Sequence, residues 1–153
     1  MAGGSRPDAV AVFRDITRRI YDVISSPESP RDWDSIRDLY HPRATLVRTG
    51  IDEHGEPFVL AMSFDEYVAN VATLLDGVSF TETELDLHTD VFGNVARAAS
   101  VYAFERRTGE QVVRGRGVNF FNFVNEGEGW KIMNIVWDNE RDGLALEAAG
   151  LLP

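Results

Sequence analysis

Apolar and polar residues alternate through four long runs between Ser79 and Asp142, separated by short turn sequences. Gly93-Asn94 lies between Phe92 and Val95, Thr108-Gly109 between Arg107 and Glu110, and Asn125 to Gly129 precedes Trp130. Short Gly/Asn loops between alternating runs mark β-hairpins. Two-residue turns put Phe92 opposite Val95, Asp90 opposite Arg97 and Leu85 opposite Tyr102. They also put Arg107 opposite Glu110, Phe104 opposite Val113, Tyr102 opposite Gly115 and Ala98 opposite Asn119. Register decides which side chains share a face. One face then carries Leu85, Leu87, Ser100, Tyr102, Phe104, Val113, Gly115, Gly117, Asn119, Phe121 and Phe123. The other carries Glu82, Glu84, Asp86, His88, Asp90, Arg97, Glu105, Arg114, Arg116, Val118, Phe120 and Asn122. This is an antiparallel sheet with one side against a core. With Phe121 opposite Met133 in the last strand, Met133, Ile135 and Trp137 join the apolar face. Ile132, Asn134, Val136 and Asp138 join the outer one, with Asp138 opposite Arg116. The apolar outer positions predict a second subunit there.

The first half carries helical spacing instead. Asp8 is a plausible N-cap for a helix to about Ile24, with Val12, Phe13, Ile16, Ile20 and Val23 as its apolar stripe. Ser25 to Pro30 breaks it. A short helix over about Arg31–Tyr40 presents Trp33, Ile36, Leu39 and Tyr40, and His41-Pro42 ends it. Ala44–Thr49 and Phe58–Met62 read as strands, with Asp52 to Glu56 as a turn between them. Ser63 with Glu66 three residues on is a capping box opening a third helix to about Leu75. The tail Gly143–Pro153 is short and apolar, suited to pack on the domain or on a partner.

This order of elements predicts an α+β domain, a curved antiparallel sheet with a mixed edge and three helices on its concave face. The run Leu39 to Val47, the helix Phe64 to Leu75 and Gly129-Trp130-Lys131-Ile132 resemble the nuclear transport factor 2-like superfamily, also called cystatin-like or SnoaL-like. Arg116 to Asn119 with Trp137 to Arg141 looks like an uncharacterised bacterial subgroup of it. The resemblance spans about residues 8–142, leaving 1–7 as a disordered start and 143–153 as a tail. It implies a cone-like domain with a pocket between sheet and helices, and frequent dimers through the outer face. It does not imply one function, since the superfamily includes isomerases, dehydratases, cyclases, epoxide hydrolases and binding domains.

Charge and composition narrow the partners. A net charge of -10 argues against nucleic acid and anionic membranes. No apolar run is long enough to cross a bilayer. The absence of cysteine excludes disulfides and thiolate chemistry and, with no export signal at the start, points to the cytoplasm. His41, His54 and His88 are too scattered for a metal site, and no nucleotide or cofactor motif is present, so no cofactor is expected.

On the apolar wall, Tyr102 and Asn119 are the candidate catalytic groups, able to polarise a carbonyl or to be satisfied core side chains. Arg48, Tyr102, Asn119, Phe121, Met133, Ile135 and Trp137 form the predicted ligand pocket. Steroid isomerase-like members carry a carboxylate base in the first strand, and Arg48 stands at that position. Arg48 would suit an anionic ligand, or would point outward toward Asp52 or Glu53. Arg116, Val118, Phe120, Asn134 and Asp138 form the predicted dimer interface, and His88 falls on that outer side. The expectation is a small-molecule pocket protein and homodimer acting on an apolar ligand with a polar or anionic group. Cofactor-free isomerase or dehydratase chemistry is the enzymatic option, although no general base is evident. The alternative is a non-catalytic ligand-binding or assembly domain.

Overall fold

In a computed structural model describing residues 6–25 and 30–153, a six-stranded sheet carries helices on one side. The expectations for the first five residues and for 26–29 of the Ser25–Pro30 break lie outside the described residues. Helix α1 (Arg6–Ile24) buries Phe13, Ile16, Ile20 and Ile24 along one stripe. Its start precedes Asp8, which therefore sits in the first turn instead of capping it, and Val12 stays exposed. The second helical segment is a 3-10 helix (Trp33–Leu39), for a reason visible in its spacing. Trp33, Ile36 and Leu39 recur every third residue, and three residues per turn bring all three into the core. Helix α2 (Phe64–Leu74) opens with the predicted capping box, in which Ser63 and Glu66 satisfy each other's backbone N–H groups.

The strands are β1 (Tyr40–Ile51), β2 (Pro57–Met62), β3 (Ser79–Phe92), β4 (Val95–Thr108), β5 (Gln111–Asn125) and β6 (Trp130–Asn139). Their order is β2-β1-β6-β5-β4-β3, with β1 and β6 parallel and every other pair antiparallel. The sheet is mixed and unclosed, and the domain is α+β with three helices.

Three registers depart from two-residue turns and straight strands. The β3–β4 turn is as predicted, with Phe92 opposite Val95 and Asp90 bonded to Arg97. Further along, β3 gains one residue at Leu85, so Tyr102 faces Glu84 and Phe104 faces Glu82. Leu85 is thrown out to solvent, while Glu82 and Glu84 turn from the outer to the concave side. The cause is the apolar spacing. Phe80 and Leu87 are an odd number of residues apart and cannot share a face of a regular strand. Both pack against the same core, and the β-bulge makes that possible.

At the next turn Gly109, with φ +61°, takes the first central position, so Thr108 faces Gln111. All β4–β5 pairs slide by two residues, which preserves the faces but removes the Arg107–Glu110 pair. Glu105 instead bonds both Arg107 and Arg114. On β6, Phe121 faces Ile135, and Met133 is the extra residue of a second irregularity. Ile132, predicted outside, is consequently buried beside Phe123 in the main core.

The tail lies back on the convex side. Leu146, Leu151 and Leu152 pack on Val101 and Val118 as a second, smaller apolar cluster. Arg116 bonds Glu140 through Nε at 2.7 Å and reaches Glu147 as well. The predicted Arg116–Asp138 pair does not form, because Asp138 faces Val118 and bonds Arg141.

Candidate functional site

Between the concave sheet face, the end of α1 and α2 lies a cavity of ≈ 670 Å³. Its walls are mostly apolar: Ile20 and Ile24 from α1, Val71, Leu74 and Leu75 from the α2 end, and Leu46, Phe104, Phe121, Ile135 and Trp137 from the sheet. Exposed Thr108, Gln111 and Val113 of the β4–β5 hairpin and Leu74 rim one end. Arg106 spans that rim, donating from Nη2 to the Leu74 carbonyl at 3.2 Å. Ligand pockets characteristically combine such apolar walls with a few polar groups.

Glu82 is the group that alternation alone does not find. The bulge at Leu85 puts it on the cavity wall, and no described residue bonds its carboxylate. Desolvation by the surrounding apolar walls raises its pKa from the ordinary 4.5 to about 8. Its backbone is held by the residue that follows α1, Ser25, whose hydroxyl accepts from the Glu82 N–H at 2.9 Å. The odd separation of Phe80 from Leu87 is the sequence signal that exposes this residue.

Arg48 also lines the cavity, with its guanidinium over the Phe58 ring at 5.6 Å from the centroid. It makes no ion pair with Asp52 or Glu53; Asp52 instead accepts from the backbone N–H groups of His54 and Glu56. Neither Arg48 nor Arg106 has a carboxylate partner among the described residues, so both leave positive charge at the cavity.

Tyr102 and Asn119 stand on the wall with their donors engaged. The Tyr102 hydroxyl donates to Asn139 Oδ1 at 2.5 Å, and burial pushes its pKa up. Gly117 makes room for that bond: a Cβ there would lie 2.5 Å from the Tyr102 oxygen. Asn119 Nδ2 donates to the Tyr21 hydroxyl at 3.0 Å. Tyr21 in turn meets Ser100 at 2.6 Å, and Ser100 donates to Glu84 Oε2 at 2.5 Å. Burial raises the Tyr21 pKa, which keeps its proton in place.

Of the remaining predicted pocket residues, Phe121, Ile135 and Trp137 line the cavity, and Trp137 packs edge-on against Tyr67. Met133 does not line it, since it is the extra residue on β6. The predicted interface residues are dispersed in their contacts. Val118 is covered by the tail, Arg116 is bound to Glu140 and Glu147, and Asn134 bonds Asn122 and Thr45. Phe120 remains 47% exposed on the convex face. His88 lies there too, 3.0 Å from Asp86, while His41 pairs with Glu126 and His54 with Glu53.

No protein-family model matches the chain, and neither does any curated protein. Solved structures do match along nearly the whole length. An NTF2-like protein with a cystatin-like fold from Novosphingobium aromaticivorans is 16% identical, with a TM-score of 0.67, over 95% of this chain and 90% of that one. A Streptomyces avermitilis protein of the NTF2-like family, described as a dehydratase candidate, is 15% identical, with a TM-score of 0.66, over 90% and 99%. A candidate calcium/calmodulin-dependent kinase II association domain from Exiguobacterium sibiricum is 11% identical, with a TM-score of 0.61, over 92% and 98%. These likenesses establish the fold, which is NTF2-like, and leave the chemistry to the cavity.

Proposed function

We propose that this NTF2-like chain is a small-molecule enzyme that moves a proton on an apolar substrate bearing an anionic group, without a cofactor. The observation that carries this reading is Glu82, a carboxyl group with no bonding partner among the described residues, on the wall of an apolar cavity that also holds Arg48. A group titrating near neutrality serves as both acid and base. In its ionised form Glu82 takes a proton from the carbon beside a substrate carbonyl. It then returns that proton to a β-hydroxyl, which leaves as water, or to the γ-carbon, which shifts the double bond. Either cycle restores the carboxylate, so no other reactant is consumed. Arg48 holds the anionic group, and with Arg106 it supplies the positive potential that favours the developing enolate. Tyr102 and Asn119 shape and orient the site from the wall, and Trp137 shields it. The Streptomyces neighbour's description as a dehydratase candidate agrees with this class.

The test is proton exchange. The protein would be incubated in deuterated water with β-hydroxy and β,γ-unsaturated carbonyl compounds carrying a carboxylate, and carbon-bound deuterium or loss of water followed by mass spectrometry. Exchange that disappears in Glu82→Gln supports the reading. No exchange with any compound, in protein that still binds them, leaves a ligand-binding domain.

A second copy is proposed to pack on the convex face, where Phe120 and Val59 stay exposed. The likeness to a kinase association domain favours an assembly role for that surface. We propose a cytoplasmic location, since a chain without cysteine is at home in a reducing compartment. Among the described residues, no helix is long and apolar enough to cross a membrane.

A further inference from the structure

The proton positions along the buried chain Asn119–Tyr21–Ser100–Glu84 follow from counting donors. A carboxylate only accepts, so the Ser100 proton goes to Glu84. The Ser100 oxygen must then accept from Tyr21, since the Tyr21–Ser100 contact of 2.6 Å needs one proton and Ser100 has spent its own. With its proton spent in turn, the Tyr21 oxygen can only accept, and the group beside it at 3.0 Å must be the NH2 of Asn119. The amide orientation is thus dictated by a carboxylate two hydroxyls away. Asn119 is the only member of the chain that lines the cavity, and its Oδ1 has no partner among the described residues. It presents an acceptor to whatever occupies the site.

Arg48 stands on the same row of the sheet. Arg48 faces Trp137, and Trp137 faces Asn119, so two strand spacings, about 10 Å, separate the backbones of the cation and the acceptor. We infer that the cavity selects a carboxylate that also carries a hydroxyl, with the carboxylate at Arg48 and the hydroxyl donating to Asn119 Oδ1. Tyr21, Ser100 and Glu84 are the positioning residues that set this preference. The inference rests on the pocket reading above and adds the polarity of the substrate's second group. A hydroxyl is also the group that the dehydration cycle expels.

Two rigid fluorescent probes of comparable span separate the possibilities: 6-hydroxy-2-naphthoate, which can donate, and 6-acetyl-2-naphthoate, which can only accept. Binding is read by fluorescence anisotropy. The protein should prefer the hydroxyl probe by about five- to a hundredfold, the range set by leaving a buried acceptor unpaired. Ser100→Ala frees the Tyr21 proton to turn to Asn119 Oδ1, which flips the amide, so the preference should reverse toward the acetyl probe. Glu84→Leu should reverse it by the same logic and serves if Ser100→Ala does not fold. Glu84→Gln retains an acceptor for Ser100 and should leave the preference as it is. Equal binding of both probes, or a hydroxyl preference that survives in both Ser100→Ala and Glu84→Leu, overturns the inference. Loss of both probes together in Arg48→Met, with equal binding before it, leaves the pocket reading standing alone. If neither probe binds the unaltered protein, the anionic-handle reading fails and this inference with it.

Discussion

The phenol of Tyr21 and the hydroxyl of Ser100 meet 2.6 Å apart inside the protein, joining α1 to β4. Ser100 is fully buried, so its oxygen has no water to turn to if that partner is lost. Tyr21→Phe should destabilise the fold by about 1–3 kcal/mol, the cost of leaving buried polar groups unpaired. Chemical denaturation would measure it; an unchanged midpoint would mean that Ser100 and Asn119 find other partners.

Glu82 makes stability depend on pH. Its folded pKa of about 8 lies above the ordinary 4.5, so the native state holds a proton that the unfolded chain releases between those values. Stability therefore falls as pH rises from about 5 to 8 and levels off above. The loss should be roughly 2–4 kcal/mol, given about 1.4 kcal/mol per pKa unit and partial relaxation of the site. Glu82→Gln mimics the protonated acid and should melt higher than the parent at pH 9 but not at pH 5. Parallel melting curves for the two proteins across this range would show that Glu82 is not desolvated.

Gly117 is defined by what surrounds it. A Cβ there would press on Asn139, on the Tyr102 hydroxyl and on the Asp138 carbonyl, the last at 2.6 Å. Gly117→Ala should cost about 1–3 kcal/mol through overpacking and lower the melting temperature by several degrees. It should also loosen the Tyr102–Asn139 bond. A variant as stable as its parent would mean that β5 and β6 shift apart freely.

On the convex face the exposed ring of Phe120 offers the simplest probe of self-association. Light scattering should give the protein twice the mass of the 17.1 kDa chain. Phe120→Glu should bring it to a single chain with its melting behaviour intact, since burying an unpaired carboxylate opposes docking. A parent protein that already runs as one chain would rule this interface out.

The turn glycines and the two apolar periods made the helices, the four long strands and their antiparallel pairing legible in the sequence. Gly93 located the first hairpin correctly. Gly109 located the second hairpin to within two residues, and a shift of two keeps every side chain on its face. What alternation could not show was a shift of one. Straight strands put Glu82 outside and Met133 inside, and both irregularities reverse those assignments. The tail's hold on Val118 depended on contacts between residues distant in sequence, which no local pattern records.

The bulge at Leu85 also makes the inward set tolerant of length. Without Leu85, residues Phe80, Glu82, Glu84 and Leu87 would occupy alternate positions of a straight strand, so the same side chains would face inward with no bulge at all. One residue more or less at this point of β3 is absorbed by the irregularity, and the acid on the cavity wall stays where it is.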